Sequence, residues 1–246
     1  MTVEERLTNR PTSELWGEHR ARYRFALQYA RVDRVLDVAT GAGFGLQMLD
    51  RVASIAFGVD LDVDALNEAR RLDRGARLVR ADAARLPLPD GSIDLVTSFE
   101  TLEHVPNAEF LVAELRRVLR AGGRLVLSTP NRAFGPPERH QNPFHVREFT
   151  ADELLDLLHA CFSDVQLYAQ RPSDAYRYVP YLMLDRHLEP REIAWKALNR
   201  LPFKMKNGVA RTVSGRPFYP GETDYFFVRA TPDDLRSCHV LVAVAT

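Results

Sequence analysis

The chain has 246 residues, which is enough for one sizeable α/β domain with a smaller appended segment. Hydrophobic residues make up 46% and charged residues 27%, a balance that is typical of folded globular proteins and excludes a disordered chain. Because 33 Lys and Arg residues balance 33 Asp and Glu residues, the formal net charge is zero, and general electrostatic attraction to DNA or RNA is not expected.

Strand and helix patterns alternate along most of the chain. Residues 12–31 predict a first helix, because their apolar side chains recur at helical spacing. Seven strands are predicted, at 34–39, 55–60, 77–81, 93–98, 124–129, 165–169 and 239–245. Further helices are predicted from the first glycine-rich turn to about residue 52, at 63–71, at 108–119 and from 150 onward. This alternation predicts a parallel sheet with helices on both faces.

A glycine turn follows the first predicted strand, with Gly41, Gly43 and Gly45 in the spacing G-x-G-x-G. A strand, a glycine turn and a helix together form a site for an anionic or nucleotide ligand, although the dinucleotide spacing G-x-G-x-x-G is absent. Asp60 ends the second strand about 20 residues after the first glycine, where a carboxylate can accept hydrogen bonds from ribose hydroxyls. The alternative is that Asp37 and Asp60 only cap strand ends.

Five segments together resemble the class I S-adenosylmethionine (SAM)-dependent methyltransferases. They are VLDVATGAGFG at 35–45, GVDLD at 58–62, ADAARLPLPD at 81–90, FETLEHV at 99–105 and RVLRAGG at 117–123. The resemblance covers residues 34–130 in order and spacing. It implies a Rossmann-like class I methyltransferase fold, with a mainly parallel seven-stranded sheet, an antiparallel last strand and helices on both faces.

The resemblance also implies a set of SAM-binding residues. Asp37 and the backbone at Ala39 and Gly41 would hold the methionine end, and Asp60 would bind the ribose. Gly43, in the same turn, would be a further cofactor-binding residue. Leu61 would lie along the adenine, and Asp82 would accept from its amino group with the Ala83 amide nearby. Ser98 or Phe99 would supply backbone contacts. From the first helix, Tyr23 and Arg22 would close over SAM. The alternative for Tyr23 is plain core packing.

Two histidines are candidates for activating an acceptor. His145 follows the fifth strand, at the sheet edge where open α/β folds bind ligands. Histidine suits the removal of a hydroxyl proton near neutral pH, and Glu148 or a backbone carbonyl could orient the ring. The alternative is that His145 is structural. By resemblance, His104 caps the loop after the fourth strand beside the cofactor, and it is the second candidate.

The predicted division of the chain has four parts. Residues 1–33 form a helical cap over the cofactor, 34–170 the SAM-binding core, 171–235 an insertion or lid that binds the acceptor, and 236–246 the last core strand. The lid carries a basic run from Lys196 to Arg216. That run is typical of a solvated helix face, of a site for an anionic sugar phosphate or nucleotide sugar, or of a peripheral membrane contact.

The predicted reaction is O-methylation of a sugar or other small metabolite, with S-adenosyl-L-homocysteine as the second product. The segments 18–26, 140–150 and 218–227 resemble bacterial methyltransferases of polysaccharide or glycosylated natural-product pathways, so the acceptor could be a sugar, nucleotide sugar or glycan. An RNA methyltransferase and a SAM-binding module without catalysis remain alternatives, and we expect no DNA partner. The predicted assembly is a monomer or homodimer.

Cysteine usage and the first residues bear on compartment and metal content. Cys161 and Cys238 lie far apart and show no metal-ligand spacing, so we expect reduced thiols and no metal. The first residues lack the apolar stretch of a secretion signal, and no apolar run has the length needed to span a bilayer. These features predict a cytoplasmic protein whose membrane contact is peripheral if it occurs.

Overall fold

The computed structural model describes residues 16–134, 142–173, 201–215 and 217–246. Its strands are β1 (Arg34–Val38), β2 (Ile55–Asp60), β3 (Arg77–Arg80), β4 (Ile93–Phe99), β5 (Leu119–Pro130), β6 (Val165–Pro172), β7 (Tyr225–Arg229) and β8 (Val240–Ala245). Its helices are α1 (Trp16–Ala26), α2 (Phe44–Asp50), α3 (Val63–Leu72), α4 (Ala108–Val118), α5 (Ala151–His159), α6 (Phe203–Ser214) and α7 (Pro232–Ser237). None of these helices has an apolar stretch long enough to cross a bilayer.

All eight strands form one sheet in the order β3-β2-β1-β4-β5-β8-β6-β7. Strands β1 to β5 pair in parallel, and β8 runs antiparallel between β5 and β6. The predicted parallel sheet with an antiparallel last strand is therefore confirmed. Strand β7 is an addition to the seven predicted strands, and it pairs antiparallel with β6 at the sheet edge.

The extra strand changes the predicted division of the chain. Residues 225–229 were assigned to the insertion at 171–235, but they extend the core sheet. The strand lies at the edge of the sheet, where Phe226 and Val228 stay exposed. The four consecutive apolar residues at 225–228 are a strand signal that the prediction of seven strands left out. Three of the six basic residues of that run, Lys196, Arg200 and Arg216, lie outside the described residues. Within them, Lys206 donates a hydrogen bond of 3.0 Å to the Tyr219 hydroxyl.

Two clusters of buried side chains cover the two faces of the sheet. One includes Leu111 and Leu115 of α4 with Leu154 of α5, and the other includes Ala26 of α1 with Leu49 of α2. Strand β8 is buried at every position, as expected for a central strand covered on both faces. Helices on both faces are thus confirmed.

The helix ends follow local sequence signals in most cases. Thr150 and Glu153 form the predicted capping box at the start of α5. The end of α4 differs from the expectation of a helix to residue 119, because Leu119 is already extended, with φ −72° and ψ 132°, and pairs with β4. The first helix is described from Trp16, so residues 12–15 of its predicted range lie outside the described residues.

The parallel strands bring their carboxyl ends to one edge of the sheet. The glycine turn follows β1, a 3-10 turn at Leu102–His104 follows β4, and the loop that ends at α5 follows β5. Open α/β sheets bind ligands at this edge. The fold therefore places the loops that carry most of the candidate site residues side by side.

Candidate active site

A cavity of about 1040 Å³ lies at this edge of the sheet. Most of the residues predicted to bind SAM or activate an acceptor line it, namely Tyr23, Ala39, Gly41, Asp60, Leu61, Asp82, Ala83, Phe99, His104 and His145. Three predicted site residues do not line it: Asp37, Gly43 and Ser98. Asp37 and Ser98 are fully buried in β1 and β4.

The turn after β1 requires unusual backbone conformations. Ala39, Gly41 and Gly43 all have left-handed φ angles, of 59°, 54° and 78°. Ala39 and Glu100 are the two non-glycine residues with positive φ in the described ranges, and both follow a strand and line the cavity. Strained backbone of this kind concentrates at ligand sites. Gly43 also has a packing role, since a Cβ there would lie 2.6 Å from Cβ of Ala69.

Asp60 holds the glycine turn against β2. Its Oδ2 accepts a hydrogen bond of 2.8 Å from the Gly41 amide, and its Oδ1 accepts one of 2.9 Å from the Asp62 amide. Each carboxylate oxygen has a second lone pair, so Asp60 can also accept from a ribose hydroxyl in the cavity. The residue therefore does more than cap the end of its strand.

Asp37 faces the protein interior instead of the cavity. Its carboxylate accepts hydrogen bonds from the hydroxyls of Thr40 and Thr97, both at 2.7 Å, and from that of Tyr23 at 3.1 Å. Burial raises the pKa of Asp37 to about 6, although these hydrogen bonds act in the opposite direction. Asp37 thus ties α1 to the glycine turn, and direct contact with the methionine end stays a prediction.

Tyr23 covers the start of α2 and forms part of the cavity wall. Its ring makes edge-to-face contacts with Phe44 and Phe99, with centroid distances of 5.3 and 4.8 Å. The ring lies directly over Gly45, where a Cβ would come within 1.9 Å of its Cζ. The third glycine of the turn is therefore required by the packing of Tyr23.

The loops at the carboxyl ends of β2 and β3 offer an apolar surface beside a carboxylate. Leu61 is 62% exposed and Val63 is 44% exposed, and both line the cavity. Asp82 is exposed, with Oδ1 accepting a hydrogen bond of 2.9 Å from the Ala84 amide. An aromatic base can cover the apolar side chains and donate its amino group to Asp82.

His145 and His104 lie together at the other end of the cavity. Nδ1 of His145 donates to Oε1 of Glu148 at 2.7 Å, and Nδ2 of Asn142 donates to its Nε2 at 2.9 Å. Nδ1 of His104 donates to the Phe144 carbonyl at 3.0 Å. These contacts leave the Nε2 lone pair of each ring as the acceptor. The structure agrees with the expectation that Glu148 orients His145.

Glu103 is a third member of this group that the sequence reading did not single out. Its Oε2 accepts a hydrogen bond of 3.0 Å from the Thr129 hydroxyl, while its buried Oε1 has no hydrogen-bond partner among the described residues. Burial, together with the nearby charge of Glu100, raises its pKa well above the usual range. The Val146 amide donates to its carbonyl at 2.8 Å and fixes the His145 loop to the turn after β4.

A buried charge network under α1 was also missed. Arg22 is fully buried, pairs with Glu18 at 3.3 Å and Glu100 at 3.4 Å, and donates to Gln170 at 2.8 Å. Burial alone would raise the pKa of Glu18, but the hydrogen bond with His239 and the charges of His239 and Arg22 outweigh it and lower the pKa to about 2. Because opposite charges compensate each other here, the network can stay buried and hold α1 beside the cavity.

Comparisons with known proteins agree with this geometry. Residues 36–127 match a family model described as a methyltransferase domain. A Mycobacterium tuberculosis protein named "Probable S-adenosylmethionine-dependent methyltransferase" is 41% identical over 136 residues, which cover 54% of this chain and 50% of that protein. The chain spans about half the length of the curated relatives it matches.

Solved structures extend the similarity to nearly the whole chain. A SAM-dependent methyltransferase from Archaeoglobus fulgidus has a TM-score of 0.62 at 18% identity and covers 95% of this chain and 94% of its own. One from Mesorhizobium loti has a TM-score of 0.58 at 19% identity, with coverages of 95% and 98%. The fold is that of the SAM-dependent methyltransferases.

In this methyltransferase fold, one end of the cavity carries the expected SAM residues and the other end carries His104 and His145. The sequence reading found the first group from motifs, because those residues follow consecutive strands. Glu103 and Glu100 were not singled out as functional residues. The only sequence signal for Glu103 is its place in the segment FETLEHV at 99–105.

Proposed function

We propose that this chain transfers a methyl group from SAM to a hydroxyl of a sugar or other small metabolite. The observation that carries the proposal is a single cavity shared by Asp60 and Asp82, two of the carboxylates expected to bind SAM, and by the His145–Glu148 pair. A donor at one end and an acceptor at the other can therefore meet inside the same space. Positioning of this kind supplies most of the rate in displacement reactions.

The described residues fit SAM. Asp60 and Asp82 accept hydrogen bonds, which matches the ribose hydroxyls and the adenine amino group, and Leu61 offers apolar surface to the base. The left-handed turn at Ala39 and Gly41 lets a ligand approach the backbone. When bound, SAM supplies an electrophilic methyl group that reacts with an oxygen nucleophile.

His145 is our candidate for the group that activates the acceptor hydroxyl. Its Nδ1 proton is held by Glu148, so its Nε2 lone pair can accept the hydroxyl proton once the acceptor replaces the Asn142 amide that now donates to it. His104 lies beside it, with ring centroids 5.0 Å apart. We propose His104 as the second residue of the acceptor end, where it would orient the acceptor.

The acceptor class rests on the sequence resemblance at 18–26, 140–150, 218–220 and 224–227. That resemblance favours a sugar, nucleotide sugar or glycan that is methylated in the cytoplasm. Cys161 and Cys238 are free thiols, in keeping with a reducing compartment. No contact in the described residues favours RNA over a small acceptor.

The test is transfer of labelled methyl from SAM to separate pools of monosaccharides, nucleotide sugars and RNA. We expect label in a sugar pool with the wild-type chain, and transfer reduced about 10²–10⁴-fold with His145→Ala. His159→Ala is the matched control, because His159 is exposed at the end of α5. Label in RNA would replace the sugar proposal, and SAM binding without label in any pool would indicate a module without catalysis.

A further inference from the structure

Three side chains that can bind a metal ion converge at the acceptor end of the cavity. Glu103, His104 and His145 each offer one ligand atom, and the three atoms lie within 4.8 Å of one another. Ligand atoms on one tetrahedral ion with bonds of about 2.1 Å lie about 3.4 Å apart. Side-chain movements of less than about 1 Å would therefore bring the three atoms onto one ion.

The two histidines are already oriented as metal ligands are. Nδ1 of His104 donates to the Phe144 carbonyl at 3.0 Å, and Nδ1 of His145 donates to Glu148 at 2.7 Å. Metal-binding histidines characteristically donate their second ring proton to a carbonyl or carboxylate, which fixes the tautomer. Nε2 is then the ligand atom on both rings. On His145 the cation would replace the Asn142 amide that now donates to it.

Glu103 supplies the third ligand and the charge. Its side chain is 1% exposed, lines the cavity, and is held at Oε2 by Thr129. Its buried Oε1 has no hydrogen-bond partner among the described residues. A buried carboxylate oxygen without a partner is costly in free energy unless a cation or donor meets it. The second carboxylate nearby, Glu100, adds to the negative potential there.

We infer that Glu103, His104 and His145 bind one divalent first-row transition cation at the acceptor end of the cavity. Two imidazoles and one carboxylate favour Mn²⁺, Co²⁺ or Zn²⁺ over Mg²⁺, which prefers oxygen ligands. Three protein ligands leave coordination positions open toward the cavity. This inference replaces the sequence-based expectation that the chain uses no metal.

The inference rests on the proposed function for its role in the reaction. A cation in this position would bind the acceptor hydroxyl and lower its pKa, as metal ions do for bound water. The hydroxyl proton then passes to solvent while the oxygen–methyl bond forms and the sulfur–methyl bond breaks. In that case His145 acts on the acceptor through the cation and does not itself take the proton.

The first experiment measures binding of Co²⁺ to the full chain after treatment with a chelator. We expect one Co²⁺ per chain by calorimetry, with visible absorption bands of Co²⁺ bound to nitrogen and oxygen ligands. Mg²⁺ should compete poorly. A spectrum unchanged from that of hydrated Co²⁺ would overturn the inference without the use of any variant.

The second experiment assigns the ligands. Glu103→Gln and His104→Gln should each weaken Co²⁺ binding more than 100-fold, and Glu148→Gln should weaken it about 10–100-fold through His145. His159→Gln is the matched control and should bind Co²⁺ like the wild type. SAM affinity measured in each variant reports that the chain is folded. If His159→Gln loses as much Co²⁺ affinity as the ligand variants do, the assignment of the ligands is wrong.

Methyl transfer in the presence of the chelator separates this inference from the proposed function. If Co²⁺ does not bind and transfer persists, the cation site is wrong and the methyltransferase proposal stands. If Co²⁺ binds at these residues and no acceptor is methylated, the cation site stands and the proposed function fails.

Discussion

Replacing Gly45 with Ala tests how Tyr23 forms the wall of the cavity proposed to bind SAM. The new Cβ would lie 1.9 Å from Cζ of the Tyr23 ring, a distance that no pair of non-bonded carbon atoms adopts. The ring is 5% exposed and is held by Phe44, Phe99 and its hydrogen bond to Asp37. It must therefore leave these contacts to make room.

The structure gives the expected size of this effect. Overpacking costs about 1–3 kcal/mol, and loss of the hydrogen bond to a carboxylate costs about 1.5–3 kcal/mol. The better helix propensity of Ala in α2 offsets about 0.5–1 kcal/mol. We expect Gly45→Ala to lower the free energy of unfolding by about 2–5 kcal/mol, measured by urea unfolding. Calorimetry should show weaker SAM binding, because Tyr23 lines the cavity.

Two comparisons decide whether the contact with Tyr23 causes the loss of stability in Gly45→Ala. Gly208→Ala, in α6, is the matched control, because a Cβ there meets no described atom within 4 Å and should stabilise by about 0.5–1 kcal/mol. In a Tyr23→Ala background, the cost of Gly45→Ala should disappear. If Gly45→Ala destabilises both backgrounds equally, the proposed contact is not the reason for the glycine.

Two further changes test the two ends of the cavity, and a third tests the buried carboxylate of Asp37. Asp60→Ala should weaken SAM binding by about 1.5–3 kcal/mol, or about 10–150-fold, because the hydrogen bonds from the ribose are lost. Unchanged SAM affinity by calorimetry would contradict the ribose-binding role of Asp60. His145→Ala should lower kcat by about 10²–10⁴-fold while SAM affinity stays at the wild-type value, and full kcat would make His145 structural. In the folded chain the pKa of Asp37 is about 6, whereas its ordinary value is 3.8, so the folded chain binds the Asp37 proton more tightly than the unfolded chain does. The contribution of Asp37 to stability therefore falls by about 3 kcal/mol as the pH rises from about 4 to 6. Asp37→Asn should remove this loss of stability, which urea unfolding at several pH values measures. If the wild type and the variant show the same pH dependence, Asp37 is not the group that causes it.

The end of the cavity proposed to bind SAM could be located from the sequence because its parts follow one another along the chain. The glycine turn comes directly after β1, and Asp60 ends β2. Parallel strands bring their carboxyl ends to one edge, so knowing the strands is enough to place Gly41, Asp60 and Asp82 close together. The capping box at Thr150 was predictable for the same local reason.

The directions in which side chains point could not be read from the sequence. Asp37 has the spacing of a cofactor residue, yet it turns inward because Tyr23 from α1 and Thr97 from β4 donate to it. Arg22 was expected to close over SAM, and it is fully buried between Glu18 and Glu100. Each of these outcomes depends on partners that are distant in the sequence.

The sequence by itself therefore determined the sheet, its helices and the motif end of the cavity, since periodicity and short-range spacing fix those features. Only the tertiary structure decided the acceptor end. His104 and Phe144 are 40 residues apart, and Glu103 meets His145 only because the loop after β5 is hydrogen-bonded to the turn after β4. The edge strand β7 was likewise decided by pairing with β6. The physical reason is that long-range hydrogen bonds and packing, which leave no periodic trace in the sequence, set the positions of these groups.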